Sequence, residues 1–447
     1  MKAWLHRNRS GLVVYGVALL VYCGASNRRL LHPSRANHYV YLAYSMLHGR
    51  LSLDRNPPTD DDWARIETLT LKDGRTVRGQ FAAGSATTFL TTSRQTIEIP
   101  ADQISGRKSE WYVSFPPFPA VLMLPVVALG GLRTNDVIFT IFFSALVPAL
   151  LLGLLRTLRE RGLSRRTERE DLWLVALFGV GSVFFFSAVR GEVWYTAHVI
   201  ACLLVIGYAW CALEARRPFW AGVCLALGVA TRSLPLLMLF PFFLLEVRRC
   251  RRAEWLRVCV QFAVPAAAIG LVLAVFNAIR FGSPFEIGHS YLVIRWAGRI
   301  QHWGLINYHF LSRNLAAAFT LVPKFINRRP YVQTSRDGLS LLITTPALLY
   351  LLWPREKPPV HRALWLTVLA VSVVSFMYHS DGYVQFGYRY SLDYMVFLVM
   401  LLALGGRPQT RTFRALTVFG ILVNLFGALT FEGLGSTQFF DGFFPAE

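Results

Sequence analysis

Three groups of ionisable side chains stand out in a chain that is otherwise largely apolar, and their types suit the handling of an anion. Arg190, Glu192 and His198 flank the start of one apolar segment, Arg232 lies inside another, and Gln385, Arg389 and Asp393 open a third. An ionisable residue inside a membrane bundle is a functional candidate, because its desolvation is costly. A guanidinium offers a planar fork that binds phosphate through paired hydrogen bonds, which makes Arg232 and Arg389 candidate phosphate ligands. The plainer reading is an interfacial anchor or an internal ion pair, and Arg389 and Asp393 have the i,i+4 spacing for one. Glu192 sits in a short polar loop, where hydration alone would account for it. His302 and His309, among the aromatics of a later loop, suit an interface better than a ligand set. HExxH, P-loop and GxSxG patterns do not occur, so metalloprotease, NTPase and α/β-hydrolase readings have no support.

These groups need a scaffold, and composition says which kind. Of the 447 residues 54% are apolar and only 16% charged, against about 25% charged in a soluble domain. Apolar runs of about 20 residues recur along the chain, as in a polytopic α-helical membrane protein. The net charge of +20 is not a nucleic-acid signal. Much of it lies in short loops (156–169, 248–257), where Lys and Arg set topology, and no basic stripe with interleaved aromatics accompanies it. The six cysteines (Cys23, Cys202, Cys211, Cys224, Cys250 and Cys259) all lie in or beside apolar segments. With no CxxC pair, they indicate neither a disulfide framework nor a zinc site. Lys2, Arg7 and Arg9 precede the apolar run 11–23, a pattern expected of a retained signal anchor with a cytosolic N-terminus.

The polar stretch 25–119 follows that first span. Its early part, 35–47, has the spacing of a helix lying in the membrane interface. An acidic knot (Asp60, Asp61, Asp62) follows. Residues 67–104 then alternate about an Asp73-Gly74 turn, a strong hairpin signal. They predict a small β-barrel or β-sandwich insert at 66–105, between a first membrane part (1–65) and the remaining helical domain (106–447). About 40 residues is marginal for independent stability. The later apolar segments give about nine full crossings, with basic loops at 156–169, 214–217, 248–257, 355–362 and 407–414 inside. The 295–336 loop lies outside by parity although it is basic.

Two segments do not cross. Segment 118–132, with Pro119 and Pro125, predicts a partial helix. Segment 219–245 has basic flanks at both ends and is too short for two spans, which need about 40 residues. It predicts a re-entrant pair of short helices turning at Thr231-Arg232-Ser233-Leu234-Pro235. Irregular backbone at membrane depth survives only inside protein or against a wet cavity. Arg232 is therefore expected on a cavity floor, with no acidic partner in its own segment.

The order of features resembles the GT-C class of integral-membrane glycosyltransferases, which includes protein mannosyltransferases and the aminoarabinose and oligosaccharide transferases. The matching residues are Tyr39-Val40-Tyr41-Leu42-Ala43 with Gly49-Arg50-Leu51, Phe115-Pro116-Pro117, Gly222 with Leu227-Gly228 and Thr231-Arg232, and Gly387-Tyr388-Arg389-Tyr390. The resemblance covers most of the chain outside 67–104. It implies a GT-C-like helical fold, a sugar donor carried on polyprenyl phosphate, and a lipid or glycan acceptor. The site would lie on the periplasmic face of a bacterial inner membrane. It also implies a carboxylate base soon after the first span, but this sequence has Asn37-His38 there. His38, with a near-neutral pKa, could replace it; otherwise Asp54, one of Asp60, Asp61 and Asp62, or Glu110 must reach in. On this reading His38, Asp62 and Glu192 are the candidate catalytic residues. Asn37, Tyr39, His198, Arg232, Gln385 and Arg389 would bind substrate and its phosphate. No cofactor is implied, and no metal is required if two arginines neutralise the phosphate. A carrier for an anionic lipid and a non-catalytic scaffold of envelope assembly are the rival readings; matched broken helices in inverted repeats would favour the carrier.

Overall fold

The first apolar run forms α1 (Lys2–Ser26). The computed structural model describes residues 2–59, 62–431 and 439–441, with side chains for 8–59, 62–431, 439 and 440. The expectations for Asp60 and Asp61 and for the side chains of Lys2 and Arg7 lie outside the described residues. The next helix, α2 (His38–Leu47), buries His38, Tyr39, Val40, Leu42, Ala43 and Ser45. It packs on the short α3 (Phe118–Gly130). The interfacial helix expected over 35–47 is therefore a buried one. Its aromatic face meets protein rather than headgroups.

Between α2 and α3 lie β1 (Trp63–Leu71), β2 (Thr76–Phe81), β3 (Thr88–Thr91), β4 (Thr96–Glu98) and β5 (Ile104–Val113). They make one antiparallel sheet in the order β4-β3-β2-β1-β5. The expected barrel or sandwich is corrected to a single open sheet. Its outer strands are too short to close, with β3 only 4 and β4 only 3 residues long, and β4 and β5 remain separate edges. Leu69, Leu71, Phe89 and Ile99 form a small core of its own, and Gly74 takes φ +84° in the expected turn.

The sheet also extends past the expected limits of 66–105. Trp63 pairs with Val113, and that end is stitched to the helical domain. The Arg280 guanidinium donates to the Val113 carbonyl at 2.7 Å, and Val293 N–H to the Trp63 carbonyl at 3.0 Å. Arg280, stacked on Phe276 and Phe281, closes α11 (Trp255–Phe281). A linker replacing 67–104 would thus cut through strands that continue into the bundle.

The remaining helices before α11 are α4 (Asp136–Glu160), α5 (Glu168–Gly179), α6 (Val183–Ala188), α7 (Val193–Ala212), α8 (Pro218–Val229), α9 (Ser233–Leu237) and α10 (Phe240–Cys250). After it come α12 (Ala297–Trp303), α13 (Leu311–Leu315), β6 (Lys324–Phe325), β7 (Val332–Ser335), α14 (Leu341–Thr344), α15 (Val360–Phe376), α16 (Leu392–Leu404), α17 (Arg411–Thr430) and β8 (Phe440–Asp441). Among the described residues five helical stretches are long and apolar enough to cross a membrane: Asn8–Leu31, Asp136–Glu160, Val193–Ala215, Arg252–Phe281 and Arg411–Thr430. The other segments expected to cross are shorter or broken helices, Val360–Phe376 among them.

The difference lies in breaks that hydropathy averages over. Segment 172–188 parts between α5 and α6, where Ser182 caps the new helix. Segment 339–352 is one α-turn followed by a 3₁₀ stretch. Segment 118–132 is short, as its prolines predict. α16 is buried along its whole length and is the hub of the bundle. α8 lies against α11 at Gly222, where a Cβ would come within 2.0 Å of the Phe262 carbonyl oxygen, so only glycine permits that crossing.

Topology is directly testable on the sheet. With native cysteines replaced, a cysteine at the exposed Ala86 should label with an impermeant thiol reagent in intact cells, and one at Arg165 should not. The reverse pattern would turn the molecule over in the membrane.

Candidate active site

The re-entrant segment breaks where its flanks predict. α8 ends at Val229, Thr231 turns its hydroxyl back to the Leu227 carbonyl (2.8 Å), and Arg232 is extended before α9 begins. The break carries Arg232 to the wall of an open cleft, which Asp62, Trp194, Tyr378, Arg389 and Tyr390 also line.

Arg232 is not the lone cation its segment suggests. Its Nε donates to Asp393 Oδ1 at 2.7 Å and its Nη2 to Oδ2 at 2.8 Å, a bidentate pair whose carboxylate is wholly buried. The guanidinium also lies 5.1 Å from the Tyr390 ring centroid. This corrects two expectations, the unpaired Arg232 and the alternative ion pair of Arg389 with Asp393. Asp393 lies in the first turn of α16, and tertiary packing directs it at the helix break rather than along its own helix. His198 comes here as well, with Nδ1 3.6 Å from Asp393 Oδ1, too far for a good hydrogen bond. Arg190 and Glu192, with which sequence had grouped it, form their own buried pair at 2.7 Å. Neither lines the cleft.

Arg389 is held differently. Its Nη1 donates to the Gly382 and Val384 carbonyls, and its guanidinium lies over the Tyr195 and Tyr390 rings. Among the described residues no carboxylate pairs with it, so its charge faces the cleft uncompensated. Gln385 is wholly buried. It donates to the Asp337 and Asp381 carbonyls (2.8 and 2.6 Å) and accepts from Arg389 N–H (3.0 Å). It shapes the loop that carries Arg389 and does not itself line the cleft.

Of the acids offered for the base position, Asp62 reaches the cleft. The Trp194 indole donates to its Oδ2 at 2.7 Å, the Ser114 hydroxyl reaches its backbone carbonyl at 3.2 Å, and its φ is +55°. Asp54 pairs with Arg55 on the surface, which holds its carboxyl below the ordinary range. Glu110 is on β5. Burial would raise its pKa, but bonds from Lys108 and Tyr112 bring it below the usual carboxylate value. His38 is stacked flat on Trp63 (3.8 Å between centroids) with Phe115 edge-on at 5.4 Å, and it is fully buried. It packs behind Phe115 and does not line the cleft. Asn37 and Tyr39 are likewise buried beside it and do not line the cleft.

Sequence reasoning passed over Trp194, Tyr378, His289 and His379, all of which line the cleft. The run Tyr378-His379-Ser380-Asp381-Gly382-Tyr383 at the end of an apolar segment was an available signal. Burial pushes His289 down to about 4, and burial with the neighbouring His289 pushes His379 to about 3. Both rings are neutral at pH 7. Among the described residues no three His, Cys, Asp or Glu side chains converge to hold a metal ion.

No curated protein matches the sequence. Among solved structures the chain is similar to the oligosaccharyltransferase of Archaeoglobus fulgidus in its apo form. The identity is 13% and the TM-score 0.46, over 94% of this chain and 56% of that one. The chain thus spans little more than half the length of that enzyme. Residues 112–377 match the family model described as glycosyltransferase family 87. That match runs from the end of β5 through the helix break to the close of α15, and by it this multi-pass membrane protein belongs to glycosyltransferase family 87.

Proposed function

We propose that the protein transfers a sugar from a polyprenyl-phosphate donor to a hydroxyl acceptor of the cell envelope, with inversion, at the periplasmic face of a bacterial inner membrane. The observation that carries this is a carboxylate, Asp62, and an uncompensated guanidinium, Arg389, lining one cleft. Asp62 takes the proton from the acceptor hydroxyl. The acceptor oxygen attacks the anomeric carbon as the bond from that carbon to the phosphate oxygen breaks, and polyprenyl phosphate leaves with the electron pair. Arg389 stabilises the charge that develops on the phosphate. Arg232, anchored on Asp393, adds a second positive edge. Trp194 orients Asp62 through its 2.7 Å bond. Glu192, in its pair with Arg190, has no part in this mechanism, and His38 supports Trp63 rather than acting as base.

The test is direct. Purified protein given a polyprenyl-phosphate hexose and an envelope-lipid acceptor should release free polyprenyl phosphate as glycosylated acceptor forms. A lipid carrier would move the donor between leaflets with no such release. Arg389→Leu should raise the donor KM or lower kcat by about a hundredfold in sum. Arg389→Lys should recover only part, since it keeps the charge and loses the fork. Full activity in Arg389→Leu would remove Arg389 from the phosphate site.

A further inference from the structure

The 295–336 loop breaks the rule that basic loops stay inside, and its structure gives a reason. Between Glu286 and Asp337 the sequence holds seven Lys or Arg residues and no acid. Arg313 is engaged by Asp337 and Asp381 at 3.1 and 2.7 Å. Arg295, Arg328, Arg329 and Arg336 are exposed and form no ion pair among the described residues, and Lys324 is exposed as well. The strands β6 and β7 form an antiparallel hairpin whose connection carries Arg328 and Arg329.

Large apolar side chains surround these charges in the open: Phe325 is 82% exposed, Tyr331 57% and Val322 53%. Such a mixture suits neither bulk water nor a protein core. It suits the boundary of a bilayer, where rings enter the headgroup layer and guanidinium groups meet phosphates. The hairpin stem stands at that boundary. Phe319, just before it, packs edge-on to Phe376, the last residue of the apolar α15, at 5.8 Å. Ser340, just after the hairpin, donates its N–H to the Leu321 carbonyl. The stem is thereby fixed at the level where α15 gives way to the cleft residue Tyr378.

We infer that the 324–335 hairpin is a lipid-binding element that seats on the outer leaflet beside the cleft and gathers anionic phospholipid headgroups through Arg328 and Arg329. The element is independent of whether Asp62 and Arg389 transfer a sugar. Its charge enriches phosphate-bearing lipids at the mouth of the cleft, since each basic residue near a surface attracts anionic headgroups.

The test is local. In the full-length chain with its native cysteines replaced, the exposed Asn327 is changed to cysteine, labelled with a fluorophore and placed in nanodiscs. These contain brominated phosphatidylglycerol or, at the same mole fraction, brominated phosphatidylcholine. The anionic quencher should quench at least about twice as strongly. In Arg328→Ser/Arg329→Ser the two quenchers should become equal, and Arg328→Lys/Arg329→Lys should keep most of the preference. Equal quenching in the parent chain would mean apolar contact alone, and no quenching by either lipid would place the hairpin in water or against a protein. A preference that survives the serine pair would assign it to other charges. Each of these three outcomes overturns the inference, and none depends on sugar transfer.

Discussion

Asp62→Asn should lower the rate of sugar transfer by about a thousandfold while leaving the protein folded. General bases of this kind contribute about 10²–10⁴-fold. The amide oxygen of asparagine can still accept the Trp194 indole bond, found at 2.7 Å in the parent. Asparagine also tolerates the left-handed conformation that Asp62 occupies at φ +55°. Only the proton acceptor is lost, so kcat should collapse while donor binding and the melting temperature stay near parent values. His38→Gln is the companion variant. It removes a ring stacked on Trp63 at 3.8 Å and should cost stability more than rate. Trp194→Phe should fall between the two, because the carboxylate remains but loses its fixed orientation. An active Asp62→Asn beside an inactive, well-folded His38→Gln would hand the role of base to the histidine.

The helix break at Thr231-Arg232 was legible in sequence, because two basic flanks and a short apolar run leave the chain few alternatives. The Asp73-Gly74 hairpin was legible for a similarly local reason, since turn chemistry fixes strand pairing nearby. What sequence could not supply was long-range pairing. Arg232 and Asp393 are 161 positions apart, and the nearest carboxylate by helical spacing had pointed Asp393 at Arg389 instead. Hydropathy likewise merged α5 with α6 and read as one continuous helix what is α14 and a 3₁₀ stretch. An average over a window does not register a Ser182 cap inside it. Asp62 was one of several acids with equal claims in the sequence, and its place in the cleft and its bond from Trp194 of α7 are long-range features that spacing does not carry. The hub helix α16 illustrates the same limit: its apolar sequence suits lipid or protein contact equally, and only packing shows it wholly buried.

Arg232→Leu should destabilise the protein strongly, the opposite of what an unpaired buried arginine would give. The bidentate bond to Asp393 neutralises a carboxylate that has no exposure at all. Removing one partner of such a pair leaves a buried charge and costs about 3–5 kcal/mol. Arg232→Leu should therefore appear as poor yield and a lower melting temperature in detergent. Asp393→Leu should do the same, because it strands the guanidinium beside Tyr390. The double variant Arg232→Leu/Asp393→Leu removes both charges together and should melt close to the parent, since replacing a whole buried pair with apolar residues is often neutral or better. Its activity then separates two roles for Arg232. A stable double variant that binds donor about tenfold or more weakly shows that Arg232 serves the phosphate as well as Asp393. A stable and fully active one makes the pair a strut between the helix break and α16, leaving Arg389 as the phosphate ligand. A rise in melting temperature for Arg232→Leu alone would sink the ion pair itself, because no buried carboxylate gains from losing its only bidentate cation among the described residues.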